Sequence, residues 1–181
     1  MKISNYNFSE SQYIKEVFPK TQIYLHHTAG NSNPYNVYQD WSNSGERIAT
    51  CVVIGGQSKT GDKWFDGEIL QGYSSKYWAY HLGLKKNVFA KFNLEYLPLD
   101  KNSIGVEICN WGQLTYKNGK YYNYVNREVL PENVTELETP FRGYKFYHSY
   151  TDQQINSLKD LLLLRSEERR VGKECATLCR S

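Results

Sequence analysis

At 181 residues, with 40% hydrophobic residues and a formal net charge of +3, the chain is long and apolar enough for one domain with a substantial core, which excludes a disordered polypeptide. Five Lys/Arg and three Asp/Glu fall from Arg165 onward, leaving 17 and 16 in the first 164 residues. A body this close to neutral lacks the broad basic field that nucleic-acid binding needs, and no apolar run approaches membrane-spanning length, so neither nucleic acid nor a membrane is an expected partner.

Sixteen tyrosines and four tryptophans supply flat amphipathic surface, suited to core packing and equally to sugar or peptide contact. Ser9 to Val17 is predicted to form a short helix capped by Ser9, with Tyr13, Ile14 and Val17 as its apolar side and Pro19 as its stop. Thr21 to Gly30 follows as a strand rich in β-formers, ended by the turn-prone Gly30-Asn31-Ser32-Asn33-Pro34. Asn33-Pro34 opens a helix to about Ser42, with Val37, Tyr38 and Trp41 at helical spacing, and Ser44-Gly45 breaks it. Ala49 to Ile54 reads as a central strand, Gly55 to Gly67 as loop or hairpin, and Glu68 to Tyr73 as another strand. Lys76 to Gly83 is aromatic and irregular; Asn87 to Asn93 is a weak helix or a loop.

Ser103 to Asn110 is a strong strand carrying one acid, Glu107, in apolar company. Leu114 to Val125 alternates around Asn118-Gly119, a two-residue hairpin signal. The polar, Pro-containing segment to Gly143 reads as an insertion wrapping the surface. Thr151 opens a last helix running to Leu164, with Gln154 completing a capping box and Ile155, Leu158, Leu161 and Leu162 as its apolar stripe. The expected fold is α/β, a single domain with a mixed central β-sheet flanked by helices. Cys51 and Cys109 sit in apolar strands and read as small apolar residues or reduced thiols.

Chemistry concentrates at strand ends. His26 and His27 close the second predicted element, where a scaffold hands over to a loop, and adjacent strand residues face opposite ways, so at most one of them serves a given site. Glu107 is either a partly desolvated carboxyl suited to general acid–base work or an edge-strand acid facing solvent. His81, among Trp78, Tyr80 and Gly83, is either structural or catalytic; His148 reads as structural.

Three segments in order, Ile-Tyr-Leu-His-His-Thr-Ala-Gly (23–30), Tyr-Trp-Ala-Tyr-His-Leu-Gly (77–83) and Asn-Ser-Ile-Gly-Val-Glu-Ile (102–108), resemble the zinc-dependent N-acetylmuramoyl-L-alanine amidases of phage endolysins, bacterial cell-wall enzymes and peptidoglycan recognition proteins. The likeness covers about residues 20 to 164. It implies one amidase domain, a zinc cofactor held by His26, Glu107 as the catalytic acid–base residue, and Thr28, Trp78 and His81 as substrate contacts. The implied substrate is peptidoglycan, cut at the amide between N-acetylmuramic acid and the L-alanine of the stem peptide. With no signal peptide in Met-Lys-Ile-Ser-Asn-Tyr-Asn, the expectation is a monomer made in the cytoplasm that acts on the cell wall after release.

The family's remaining zinc ligands would lie beyond the last helix, where Arg-Ser-Glu-Glu-Arg-Arg-Val-Gly-Lys-Glu-Cys (165–175) resembles a translated sequencing adapter; the other reading is an ordinary charged helix end. The expected division is therefore an amidase domain over 1–164, incomplete at its C-terminal end, and a non-native tail over 165–181 in which Cys175 and Cys179 carry no function. A competing reading is a peptidoglycan-binding module of the same fold without catalysis. An unrelated carbohydrate-binding domain would explain the tyrosines and leave the ordered motifs without an account.

Overall fold

Strands β1 (Ile3–Asn5), β2 (Gln22–His27), β3 (Val52–Ile54), β4 (Ile69–Gln71) and β5 (Ser103–Ile108) form a mixed five-stranded sheet in the order β1-β4-β3-β5-β2. This computed structural model describes residues 2–30, 32–58 and 62–175, with side chains as far as Ser166. Every residue of β5 is buried, because parallel neighbours β3 and β2 flank it and helices cover both sheet faces. The fold is mixed α/β.

Helix α1 (Pro34–Ser44) starts where the Asn33 side chain accepts the Tyr35 N–H and ends at Gly45, whose φ of +68° suits a residue without a Cβ. It lies over the face that carries Glu107. Its Tyr38 is wholly buried; the hydroxyl donates to the Cys51 carbonyl at 2.8 Å and accepts the Gly72 N–H at 2.8 Å, tying α1 to the ends of β3 and β4. Helix α2 (Lys86–Lys91) is short. Helix α3 (Asp152–Cys175) covers the opposite face through Ile155 and Leu158, against Leu25 and Ile108. Thr151 and Gln154 form the reciprocal capping box at its start, at 3.1 and 3.2 Å.

The helix expected over Ser9 to Val17 shrinks to a 3-10 turn, Glu10–Gln12. Ser9 still caps it, but Tyr13 turns away to stack on Tyr73 and Tyr77, with ring centroids 4.9 and 5.9 Å apart, and Ile14 bridges to Trp78. These long-range contacts outweigh a weak local helix preference.

The segment expected to wrap the surface irregularly instead completes a second, antiparallel sheet. Strands β6 (Gln113–Lys117), β7 (Lys120–Tyr122), β8 (Glu128–Val129), β9 (Val134–Phe141) and β10 (Tyr144–His148) take the order β8-β7-β6-β10-β9. Asn118 and Gly119, at φ +52° and +77°, make the tight β6–β7 turn, and Arg142-Gly143, at +50° and +84°, repeat that chemistry between β9 and β10. The boundary expected at Leu164 falls inside α3. Arg165 donates to Ser75 Oγ at 3.1 Å and Gln71 Oε1 at 3.2 Å. The side chains of Val171 and Cys175, and all of Leu178 and Cys179, lie outside the described residues.

Candidate active site

The β2–β5 register pairs His26 with Glu107, and residues side by side on neighbouring parallel strands project from the same face. Imidazole and carboxyl therefore share one side of the sheet. His27 pairs with Ile108 and projects from the other, where its ring lies against Gly112 and its Nδ1 accepts the Ala29 N–H at 3.2 Å. Strand alternation alone separates the two histidines.

Glu107 is 8% exposed, and among the described residues its carboxyl makes no hydrogen bond. Burial without compensation pushes its pKa up to about 7. It lines a 360 Å³ cavity together with Thr28, Gly30, Val37, Asp40, Trp41 and Tyr124. The Thr28 hydroxyl donates to the Asn110 carbonyl at 3.2 Å and accepts the Asn110 N–H at 3.1 Å, which ties the loop after β2 to the end of β5. A 540 Å³ cavity at the opposite end of β2, lined by Lys20, Lys76 and Arg165, is remote from this chemistry.

His81 reaches the sheet because β5 has a glycine beneath it: a Cβ on Gly105 would lie 3.0 Å from the His81 ring. Asp100 Oδ1 fixes the approach, accepting the N–H groups of His81 at 2.8 Å and Leu82 at 2.9 Å. Burial lowers the His81 pKa to about 4, so the ring is neutral at pH 7. Its hydrogen bonds then set two tautomers. The Ser103 hydroxyl donates to the Leu99 carbonyl at 2.6 Å, so His81 Nε2, 2.9 Å away, donates to Ser103 Oγ. His81 Nδ1 is left as an acceptor for His26 Nε2–H at 3.1 Å. The lone pair of His26 therefore sits on Nδ1.

Of the residues expected from the sequence, Glu107 and Thr28 line one cavity; His26, beside Glu107 in the register, lines another with Leu25, His27 and Tyr150, and His81, hydrogen-bonded to His26, a third with Tyr80 and Leu82. Trp78 is not among them: it is 6% exposed, bridged to Ile14 and covered by the Lys101 ammonium 4.9 Å from its ring. Its neighbour Tyr80 is the one that faces outward. His148 is buried and accepts the Trp111 N–H. Asp40, Trp41 and Tyr124 line the cavity with Glu107, and Ser103 holds His81, without any of them standing out as a site residue in the sequence. Only Trp41 and Asp40 carried a signal, since they follow the apolar positions of α1 by one helical turn.

Among the described residues, no group of three or more His, Cys, Asp or Glu side chains is placed to hold a metal ion. A catalytic zinc takes three protein donors and keeps a fourth position open. His26 Nδ1 offers one such donor, so the described residues do not fit the zinc centre that the sequence resemblance implies.

No family model matches the chain, and no curated protein matches it. Solved structures do. PlyL is 17% identical with a TM-score of 0.43 over 70% of this chain and 65% of that one. The PlyG catalytic domain is 16% identical with a TM-score of 0.41, covering 60% and 56%. The Staphylococcus aureus hydrolase AmiA, in complex with its ligand, is 15% identical with a TM-score of 0.38, covering 66% and 47%. The chain thus spans less than two thirds of each of these structures.

Proposed function

We propose that the chain is a peptidoglycan hydrolase that cuts the amide between N-acetylmuramic acid and the L-alanine of the stem peptide. The observation that carries this reading is Glu107, a buried carboxyl with a pKa of about 7 set across from His26 on the same sheet face. A general base works best when its pKa lies near the working pH, because it is then part ionised and still basic enough to take a proton. Glu107 takes a proton from the attacking water, whose oxygen adds to the lactyl carbonyl carbon. It returns that proton to the alanine nitrogen as the C–N bond breaks. Thr28 holds the loop beside it, and the Ser103–His81–His26 chain fixes the orientation of His26.

Glu107→Gln is expected to abolish amine release from purified peptidoglycan while leaving cell-wall binding in place. Undiminished release would remove Glu107 from the mechanism. For zinc, the implied cofactor, His26 is the single matching donor; calorimetric titration of this chain with Zn²⁺ is expected to show weak binding that His26→Ala removes. Tight zinc binding surviving that substitution would displace His26 as the donor. The absence of a three-donor cluster among the described residues also favours a second reading, a peptidoglycan-binding module without catalysis. Binding with no amine release from the unaltered chain would select it.

A further inference from the structure

The 540 Å³ cavity at the far end of β2 takes no part in the chemistry proposed for Glu107. Phe18, Ile23, Ile104 and Leu162 give it an apolar lining, and Lys20, Lys76 and Arg165 give it three cations. Among the described residues no Asp or Glu lines it. The whole chain carries 22 Lys/Arg against 19 Asp/Glu, so three cations without an acid is a local excess and not a reflection of overall charge.

The cations differ in how they are held. The half-buried Lys20 ammonium donates to the Lys101 carbonyl at 2.5 Å, and among the described residues no carboxylate lies within ion-pair distance of it. Burial lowers its pKa to about 8, which leaves it charged at pH 7. The neighbouring Lys101 has what Lys20 lacks: it meets Glu16 at 3.6 Å and lies 4.8 Å from the Phe18 ring. Lys76 is exposed, with its ammonium 5.0 Å from the Tyr77 ring. Arg165 is fixed by Ser75 Oγ at 3.1 Å and Gln71 Oε1 at 3.2 Å, so its guanidinium is preorganised at the cavity. A partly desolvated ammonium with a neutral partner is stabilised when an anion arrives beside it.

We propose that this cavity binds a small organic anion, its phosphate or carboxylate group on Lys20, Lys76 and Arg165 and its apolar body against Phe18, Ile23 and Leu162. Several hundred cubic ångströms of largely apolar lining with a few convergent polar groups is the usual form of a small-molecule site. A nucleic-acid strand would need a charged track along its backbone, and three cations around one cavity do not make one. The site is independent of the hydrolase reading, since β2 runs about 16 Å between this cavity and His27.

The test is calorimetric titration of the full chain with octyl phosphate, octanoate, octanol and inorganic phosphate. At least one of the two octyl anions is expected to bind about tenfold more tightly than octanol or inorganic phosphate, and the better of the two identifies the head group. Lys20→Met should weaken that binding about tenfold and Lys76→Ala about threefold, with circular dichroism confirming the fold of each. Lys76 is exposed, so its variant keeps the test readable if Lys20→Met fails to fold. Octanol binding as tightly as the octyl anions, no binding by either anion, or affinities unchanged in the folded variants would each overturn the site.

Discussion

His148 and Glu107 are both buried titratable groups, yet burial turns their pH dependences in opposite directions. The His148 imidazole is pushed from the usual 6.5 down to about 4, so between those values only the unfolded chain takes up the proton. Its contribution to stability is present above pH 6.5 and lost as pH falls toward 4. The Glu107 carboxyl is raised from 4.5 to about 7, so the folded state keeps a proton that the unfolded chain releases. Its contribution is present below pH 4.5 and lost as pH rises through 7. Each effect is on the order of 3 kcal/mol. His148→Gln should therefore flatten the loss of stability between pH 6.5 and 4, and Glu107→Gln the loss between pH 4.5 and 7, both read from urea midpoints across pH. Slopes matching the unaltered chain would mean these groups titrate normally in the fold.

Element ends were the most legible part of the chain, because capping and turn chemistry act within a few residues. The Thr151–Gln154 box, the Asn33-Pro34 start of α1 and the Asn118-Gly119 turn all form as their residue types dictate. Ser9 shows the limit of such signals: the cap forms, but the stacking of Tyr13 on Tyr73 ends the helix after one turn, and that partner is 60 residues away in sequence. Strands β9 and β10 escaped for a related reason. Their pattern is mostly exposed on β9, so the period-two signal of a buried face is weak. The α3 cap allows a graded test. Thr151→Ala should cost about 1 kcal/mol, the usual loss of an N-cap. Gln154→Ala should cost more, about 2 kcal/mol, because its Nε2 also donates to the buried Cys109 carbonyl at 2.7 Å, which would be left unpaired. Equal losses in chemical denaturation would show that the Cys109 bond contributes no more than the hydrogen bond the Thr151 hydroxyl donates to Asp66 Oδ1.

Across the whole molecule, the candidate site was legible where it depended on strand alternation and illegible where it depended on chain crossing. His26 and Glu107 could be read as partners from their motifs, and the parallel register places them side by side. The Ser103–His81–His26 chain needs the 77–83 segment to pass over Gly105, and the place of Tyr124 in the Glu107 cavity needs the second sheet to reach the first; neither is written in local pattern. The last helix joins these scales. Its apolar contacts come from Ile155, Leu158 and Leu161, and Arg165 adds polar ties to Ser75 and Gln71. Beyond Ser166 the sequence Glu-Glu-Arg-Arg-Val-Gly-Lys-Glu-Cys offers no apolar stripe that could extend this packing. A chain ending at Ser166 is therefore expected to melt within about 3 °C of the 181-residue chain, since roughly 1 kcal/mol moves the midpoint by about 2–4 °C at this size. Arg165→Ala, which removes hydrogen bonds from a charged donor, should lower the midpoint by a similar few degrees in either chain. A drop beyond about 10 °C on truncation would show that the segment after Ser166 packs on the domain, and the division of the chain near Leu164 would then fail.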